Sequence, residues 1–283
     1  MIDLSFLHHL DRLSLIINKR ITSNYVGERK SIATGRGLVF KDHIIYAPGD
    51  DFRYIDWKVY GRLDKLFVKR FEEERNLTVH IIVDYSASMG FGKKQTKAEY
   101  ASMFGIGFAY MAMKNNERFV LSTFSNVLEP FKAHKGRSQL ISIVDYLNKK
   151  KPQGLSKLDD SLGRYKKLIN SKSMVIILSD FLYSVQDIRQ AIARFKRHNV
   201  VLIQVLDQEE ETLPLDGDFK LIDTETKETL RTFVSPYLRK KYTESMDNHR
   251  AEIKRACDEI GAKFFTFHTG FPIFDAFYQV LNE

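Results

Sequence analysis

Val79 to Gly90, VHIIVDYSASMG, begins as an apolar run that reads as a buried strand and ends in Asp84, Ser86 and Ser88 on alternate positions. Side chains alternate faces in an extended chain, so residues 84, 86 and 88 point the same way if that geometry persists past Asp84. One carboxylate and two hydroxyls then converge, and oxygen donors of this kind suit a hard cation such as magnesium. A second run, MVIILSD from Met174 to Asp180, also places a carboxylate after a buried strand. In an open parallel sheet, ligands collect outside the carboxyl ends of the strands, where strand order reverses. Asp84 and Asp180 are therefore expected to face one crevice. A single strand-end aspartate more commonly starts a turn or caps a helix. Two of them, with paired serines, point to a shared site.

Outward from this stretch, strand and helix patterns alternate. Lys97–Lys114 reads as a helix and Arg118–Phe124 as a strand, followed by a short return around Val127–Phe131. Helices follow at Ser138–Leu147, Leu158–Ile169 and Val185–His198, with strands at Met174–Leu178 and Val200–Leu206. The expected fold class is α/β, a doubly wound, mostly parallel sheet covered on both faces. Phe219–Asp223 and Leu230–Val234, separated by TETKET, read as an inserted β-hairpin. Ser235-Pro236 opens a long helix that Gly261 stops, Lys263–Phe267 is the last strand and Ile273–Leu281 the last helix.

The front of the chain is less regular. Leu4, Leu7, Leu10, Leu13 and Ile17 recur at helical spacing and predict an amphipathic helix packed on the body. Residues 23–37 are polar, basic and glycine-containing, as in a linker; Gly35-Arg36-Gly37 lacks the further glycine of a dinucleotide loop. Residues 38–74 are dense in aromatics and charge, with a turn at Pro48-Gly49-Asp50 and a strand pattern in Lys65–Phe71. Arg53, Lys58 and Arg62 with Tyr54 and Trp57 could meet phosphates and stack bases. Asp50, Asp51, Asp56 and Glu72–Glu74 nearly cancel that charge, which argues against nucleic acid and for local ion pairing.

The whole sequence has 283 residues, 43% hydrophobic and 28% charged, enough to bury a substantial core. Its net charge of +8 suits an acidic partner without selecting one. The single cysteine, Cys257, allows no intramolecular disulfide and reads as a small buried helix residue. No run approaches the length of a membrane span, and the first residues, MIDLSFLHHLDRL, make a poor secretory signal, so the cytoplasm is the expected location.

Asp84-x-Ser86-x-Ser88 with Asp180 is similar to the metal-ion-dependent adhesion site of von Willebrand factor type A domains. GRGLVF, YAPGDDFRYIDWK, LFVKRFEEE and DYSASM, in that order, resemble the bacterial and archaeal proteins grouped as domain-of-unknown-function family 58. The resemblance runs from about Gly35 to the carboxyl terminus. Behind the N-terminal helix and linker (1–34), it implies a β-rich family-specific segment (35–76) and a von Willebrand factor A-like domain (77–283) with the hairpin inserted at about 213–234.

The resemblance also implies a Mg2+ or Mn2+ ion at the top of the sheet, with a further hydroxyl from the loop at Gly154-Leu155-Ser156. The candidate ligands are thus Asp84, Ser86, Ser88, Ser156 and Asp180. Serine stands at 156 where threonine is usual and Lys157 where an acid often follows. The serine keeps the hydroxyl, whereas an ammonium beside the site would oppose a cation. Relatives of this family are often found as partners of MoxR-type AAA+ ATPases, so the role that the resemblance implies is a non-catalytic adaptor or co-chaperone that binds protein.

The competing classes are a metal-dependent hydrolase or phosphatase and a nucleic-acid binder. Haloacid-dehalogenase phosphatases need a second acid two residues after the nucleophilic aspartate, and here that position is Ser86, which cannot act as a carboxylic acid. Neither Ser86 nor Ser88 lies in G-x-S-x-G, and no histidine is near either in sequence.

Overall fold

In a parallel sheet, strands whose side chains are apolar on both faces belong at the centre, with helices above and below. The computed structural model, which describes residues 6, 9–11, 34–35, 39–72, 78–131, 136–225 and 227–282, follows this rule. The chain divides into two units, Met1–Ile17 with Leu77–Glu283, and Asn18–Asn76.

The smaller unit contains strands β1 (Thr34–Gly35), β2 (Val39–Ile45) and β3 (Phe67–Glu72), antiparallel in the order β1-β3-β2, and helix α1 (Trp57–Leu63). The sequence reading assigns no helix here. Seven residues are too few for a helical period to show, and the available signal is Asp56 as N-cap. Its carboxylate accepts from the amides of Lys58 at 3.0 Å and Val59 at 3.4 Å. It also takes His43 Nε2 at 2.9 Å and Lys69 Nζ at 3.3 Å. The His43 hydrogen bond, reinforced by Lys69 and the cap, holds the Asp56 carboxyl at about 2. Arg53 grips Asp51 with Nη2 at 2.7 Å. These acids therefore spend their charge within the unit, as the local-pairing reading expects.

The larger unit runs β4 (Thr78–Asp84), α2 (Lys97–Lys114), β5 (Arg118–Phe124), β6 (Leu128–Pro130), α3 (Arg137–Lys149), α4 (Leu158–Lys166), β7 (Met174–Ser179), α5 (Val185–Ala193) and β8 (Asn199–Leu206). It continues with α6 (Gln208–Thr212), β9 (Gly217–Ile222), β10 (Thr229–Val234), α7 (Pro236–Asp258), β11 (Lys263–His268) and α8 (Ile273–Asn282). Six strands form one sheet in the order β11-β8-β7-β4-β5-β6, parallel except for edge strand β6. The first strand of this sheet in sequence, β4, is central, with β5 on one side and β7 on the other. That is the order reversal of a doubly wound sheet. Strands β9 and β10 make a separate antiparallel hairpin.

One face of the sheet is covered by α4, α5 and α7, whose Leu162, Ile192 and Ile253 share a core with Ile82, Ile177 and Leu202. Cys257 of α7 is buried in it, its thiol pushed up to about 12 by desolvation. On the other face, α2 approaches closely because two of its residues lack a Cβ. A Cβ at Gly105 would meet Leu121, Ile81 and Val83 at 3.2–3.4 Å, and one at Gly107 would fall 2.1 Å from the Phe277 ring of α8. Phe104 stacks into the same layer, its centroid 4.7 Å from Phe277.

Of the N-terminal stripe, Leu10 is buried; Leu4, Leu7, Leu13 and Ile17 lie outside the described residues, as does the 23–33 stretch. Phe6 packs its ring 5.7 Å from Phe274, and Asp11 pairs with Lys114 at 2.8 Å. Among the described residues no helix is long and apolar enough to cross a membrane.

Candidate metal centre at the end of the sheet

Parallel pairing of β4 with β7 brings Val83 beside Leu178, so the next residues, Asp84 and Ser179, emerge together at the carboxyl end. Beyond Asp84 the chain turns into a short 3-10 helix, Ala87–Gly90, with Ser86 at its N-cap. The Ser86 side chain makes no cap bond and instead lies 3.1 Å from Ser88 Oγ. Asp84 Oδ1 accepts the Ser86 amide at 2.9 Å and thereby closes the turn.

Ser156 arrives on a loop laced to these strands by backbone bonds: Gln153 N to Tyr85 O, Ala87 N to Gly154 O, and Lys157 N to Ser125 O. Gly154 has φ +84°, and a Cβ there would press on the Asn126 amide at 3.2 Å, so glycine is required to bring the loop this close. The Ser156 hydroxyl then donates to Asp84 Oδ2 at 3.2 Å, while the Ser156 amide donates to Glu225, from the hairpin turn, at 3.2 Å. Lys157 is exposed.

Asp84 Oδ2 also accepts from Ser179 Oγ at 2.8 Å and Tyr183 Oη at 2.6 Å, and Tyr183 Oη touches Ser156 Oγ. Every donor to Asp84 is neutral. The carboxylate is fully buried, and desolvation, with Asp180 second, raises its pKa above the ordinary range against the pull of these hydrogen bonds. Between Ser179 and Tyr183 the chain passes through Phe181, buried and at φ +50°, a left-handed conformation that a bulky residue adopts only under constraint. The Phe181 carbonyl is held by His249 Nε2 at 2.8 Å.

Asp180 is treated differently. Its Oδ2 accepts Lys97 Nζ at 2.9 Å, and the same ammonium reaches Glu210 Oε1 at 2.9 Å. Lys97 is completely buried. Burial opposes its charge, but Asp180 and Glu210 outweigh that and hold its pKa above the usual lysine range. Glu210 is raised by burial, with Lys97 opposing.

The structure thus brings the Ser86 amide and the Ser156 hydroxyl onto Asp84, sets Ser88 Oγ beside Ser86 Oγ, and leaves Asp180 close enough for its charge to be felt at Asp84. Sequence reasoning missed Lys97, Ser179, Tyr183 and Glu210. One signal for Lys97 was present: a cation in the first turn of a helix opposes the helix dipole, so an anion must hold it there. Among the described residues no three His, Cys, Asp or Glu side chains gather as metal ligands. A cation here would depend on serine hydroxyls. The donor set, carboxylate and hydroxyl oxygen only, fits Mg2+ or Mn2+ and offers nothing soft.

Residues 43–252 match the family described as "Protein of unknown function DUF58". Uncharacterized protein Mb1516 of Mycobacterium bovis is 26% identical over 265 residues, covering 92% of this chain and 84% of that one. Uncharacterized protein Rv1480 of Mycobacterium tuberculosis matches with the same values. Among solved structures, the conserved hypothetical protein BatB from Bacteroides thetaiotaomicron superposes with TM-score 0.46 at 13% identity, over 73% of this chain and 97% of that one. With the family match spanning most of its length, the chain belongs to the DUF58 family.

Proposed function

We propose that this chain is a non-catalytic protein-binding module with a von Willebrand factor A-like domain. Its docking site is the end of the sheet around Asp84, completed by Mg2+ or Mn2+. The observation that supports the reading is the buried Asp84 carboxylate at the point where strand order reverses, bonded to the Ser86 amide and the Ser156 hydroxyl, with Ser88 Oγ against Ser86 Oγ. Asp84 and the serines would hold the ion directly, while Asp180, anchored by Lys97, would orient water around it. Octahedral magnesium needs more oxygens than these side chains offer, so a carboxylate of a partner protein can complete the shell. The ion would supply the charge that binds that carboxylate. Following the family resemblance, the proposed partner is a MoxR-type AAA+ ATPase, with this chain as adaptor or co-chaperone.

Calorimetry with MgCl2 and MnCl2 tests the site: wild type should give weak saturable heats and Asp84→Asn none, with both folded by circular dichroism. Co-purification with the ATPase, with and without chelator, tests the role. Equal capture by wild type and Asp180→Ala under both conditions would remove this face from the interaction.

A further inference from the structure

The β9–β10 hairpin is firmly held at its base and thinly packed toward its turn. Val234, paired with Gly217, is fully buried, whereas Leu221, Ile222 and Leu230 are 38%, 58% and 62% exposed. A two-stranded hairpin is marginal by itself, so what its turn touches helps to decide where it rests. The turn is braced from within. The Glu225 amide donates to Asp223 Oδ1 at 2.6 Å, the Asp223 amide to the Glu228 carbonyl at 2.9 Å, and the Lys227 amide to the Asp223 carbonyl at 3.1 Å.

From this turn the Glu225 side chain meets a residue 69 positions away in sequence, on the loop that lines Asp84. Ser156 is the link: its hydroxyl donates to Asp84 Oδ2 and its amide to Glu225 Oε2, each at 3.2 Å. Two carboxylates thus flank one serine, and among the described residues neither makes an ion pair. The Ser156 amide needs only an acceptor, and a neutral carbonyl would serve it as well. The charge of Glu225 is the part that this contact leaves unexplained. Like charges brought to one residue repel, and a divalent cation held at Asp84 turns that repulsion into attraction for both.

We propose that Glu225 is the chain's own occupant of the position that a partner's carboxylate takes at the sheet-end site. With Mg2+ or Mn2+ at Asp84, the hairpin turn lends its carboxylate to the ion and keeps the site closed until a partner's acid displaces it. The inference rests on the metal-dependent docking proposed for that site. The amide contact is no obstacle to displacement, since a hydrogen bond to a charged group is worth about 1.5–3 kcal/mol. Tethering supplies the selectivity, because a side chain held beside a site has an effective concentration on the order of millimolar. A free carboxylate loses to Glu225, and a protein that brings an acid together with further contacts wins.

The test uses the full chain with Mn2+ as the probe, read by water-proton relaxation, and Asp84→Asn as the control for the site. Glu225→Gln keeps an acceptor for the Ser156 amide and removes the charge, and Glu225→Ala removes both; circular dichroism checks each fold. Wild type should bind Mn2+ in an Asp84-dependent way. Both Glu225 variants should bind it about tenfold more weakly, with a larger relaxation enhancement per bound ion as water takes the vacated position. Acetate should then lower that enhancement saturably in the variants and not in wild type. If wild type and both variants share one affinity, one enhancement and one response to acetate, Glu225 only anchors the hairpin, and the proposal falls while the metal site stands. If wild type binds no Mn2+, or Asp84→Asn binds it equally well, the metal site and the proposal fall together. If one Glu225 variant fails to fold, the other decides.

Discussion

Strands β4 and β7 lie side by side and each delivers an aspartate to the same end of the sheet, yet the two carboxylates are held by opposite means. Asp84 is surrounded by hydroxyls and an amide, with no cation within hydrogen-bond reach among the described residues, and its pKa is driven up. Asp180 has an ammonium of its own in Lys97, shared with Glu210. Neutral donors leave a carboxylate's charge uncompensated, so Asp84 is the group with something to gain from an added cation. Asp180, already paired, is the fixed wall of the site.

The sharpest way to break this comparison is to remove the built-in cation. Lys97→Met leaves the buried Asp180 and the half-buried Glu210 without their counter-charge, and breaking a buried pair of this kind costs about 3–5 kcal/mol. Guanidinium unfolding should show the loss as a lower midpoint. An unchanged midpoint would mean that Asp180 does not depend on Lys97.

Among the described residues, a buried group without an ion pair is available on β4 itself for calibration. His80 is held at about 4 by burial and, second, by His198, and its Nδ1 lies 2.9 Å from the Tyr165 hydroxyl. Its folded pKa is below that of the unfolded chain, so the unfolded chain binds the extra proton between those values. Stability from this group is therefore complete above about pH 6.5 and is lost as pH falls toward 4, by about 3 kcal/mol in all. Denaturant titrations across that range should show the slope in wild type and lose it in His80→Asn. An equal slope in both would place the titration elsewhere.

Two smaller effects separate ligand from competitor at Asp84. Ser88→Ala removes one hydroxyl donor and should weaken Mn2+ binding about tenfold, or roughly 1.4 kcal/mol, in a calorimetric titration. Tyr183→Phe should act in the opposite direction. Its hydroxyl occupies Asp84 Oδ2 and contacts Ser156, so deleting a hydrogen bond worth about 1 kcal/mol should strengthen Mn2+ binding about fivefold. Unchanged affinity would show that tyrosine and cation do not compete.

What could be read in advance follows the range of the signal. The spans of α2 and β5 are legible because capping chemistry and apolar runs are local: Thr96 and Glu99 form a capping box, and residues 119–124 of β5 are buried throughout. Asp84, Ser86, Ser88 and Asp180 are legible for the same reason, as strand ends with an alternation. Ser156 came only through resemblance, since nothing local marks a loop serine that meets its partner across 72 residues. Lys97, Tyr183 and Glu210 were out of reach because their roles exist only after the strands are ordered. Helices α1 and α6 were missed because five to seven residues hold too little of a helical period to outweigh turn and charge signals.

The central position of β4 also has a consequence for synthesis. This central strand is the first of its sheet to be made, and β5 follows soon after, but the β7 edge stays open until the chain has grown by the 95 residues that separate Asp84 from Ser179. At translation rates of about 5–20 residues per second, an apolar strand edge waits roughly 5 to 20 seconds for its neighbour. During that interval the nascent chain presents VHIIVD as an unpaired β-template, and α2 is made early enough to shield one of its faces.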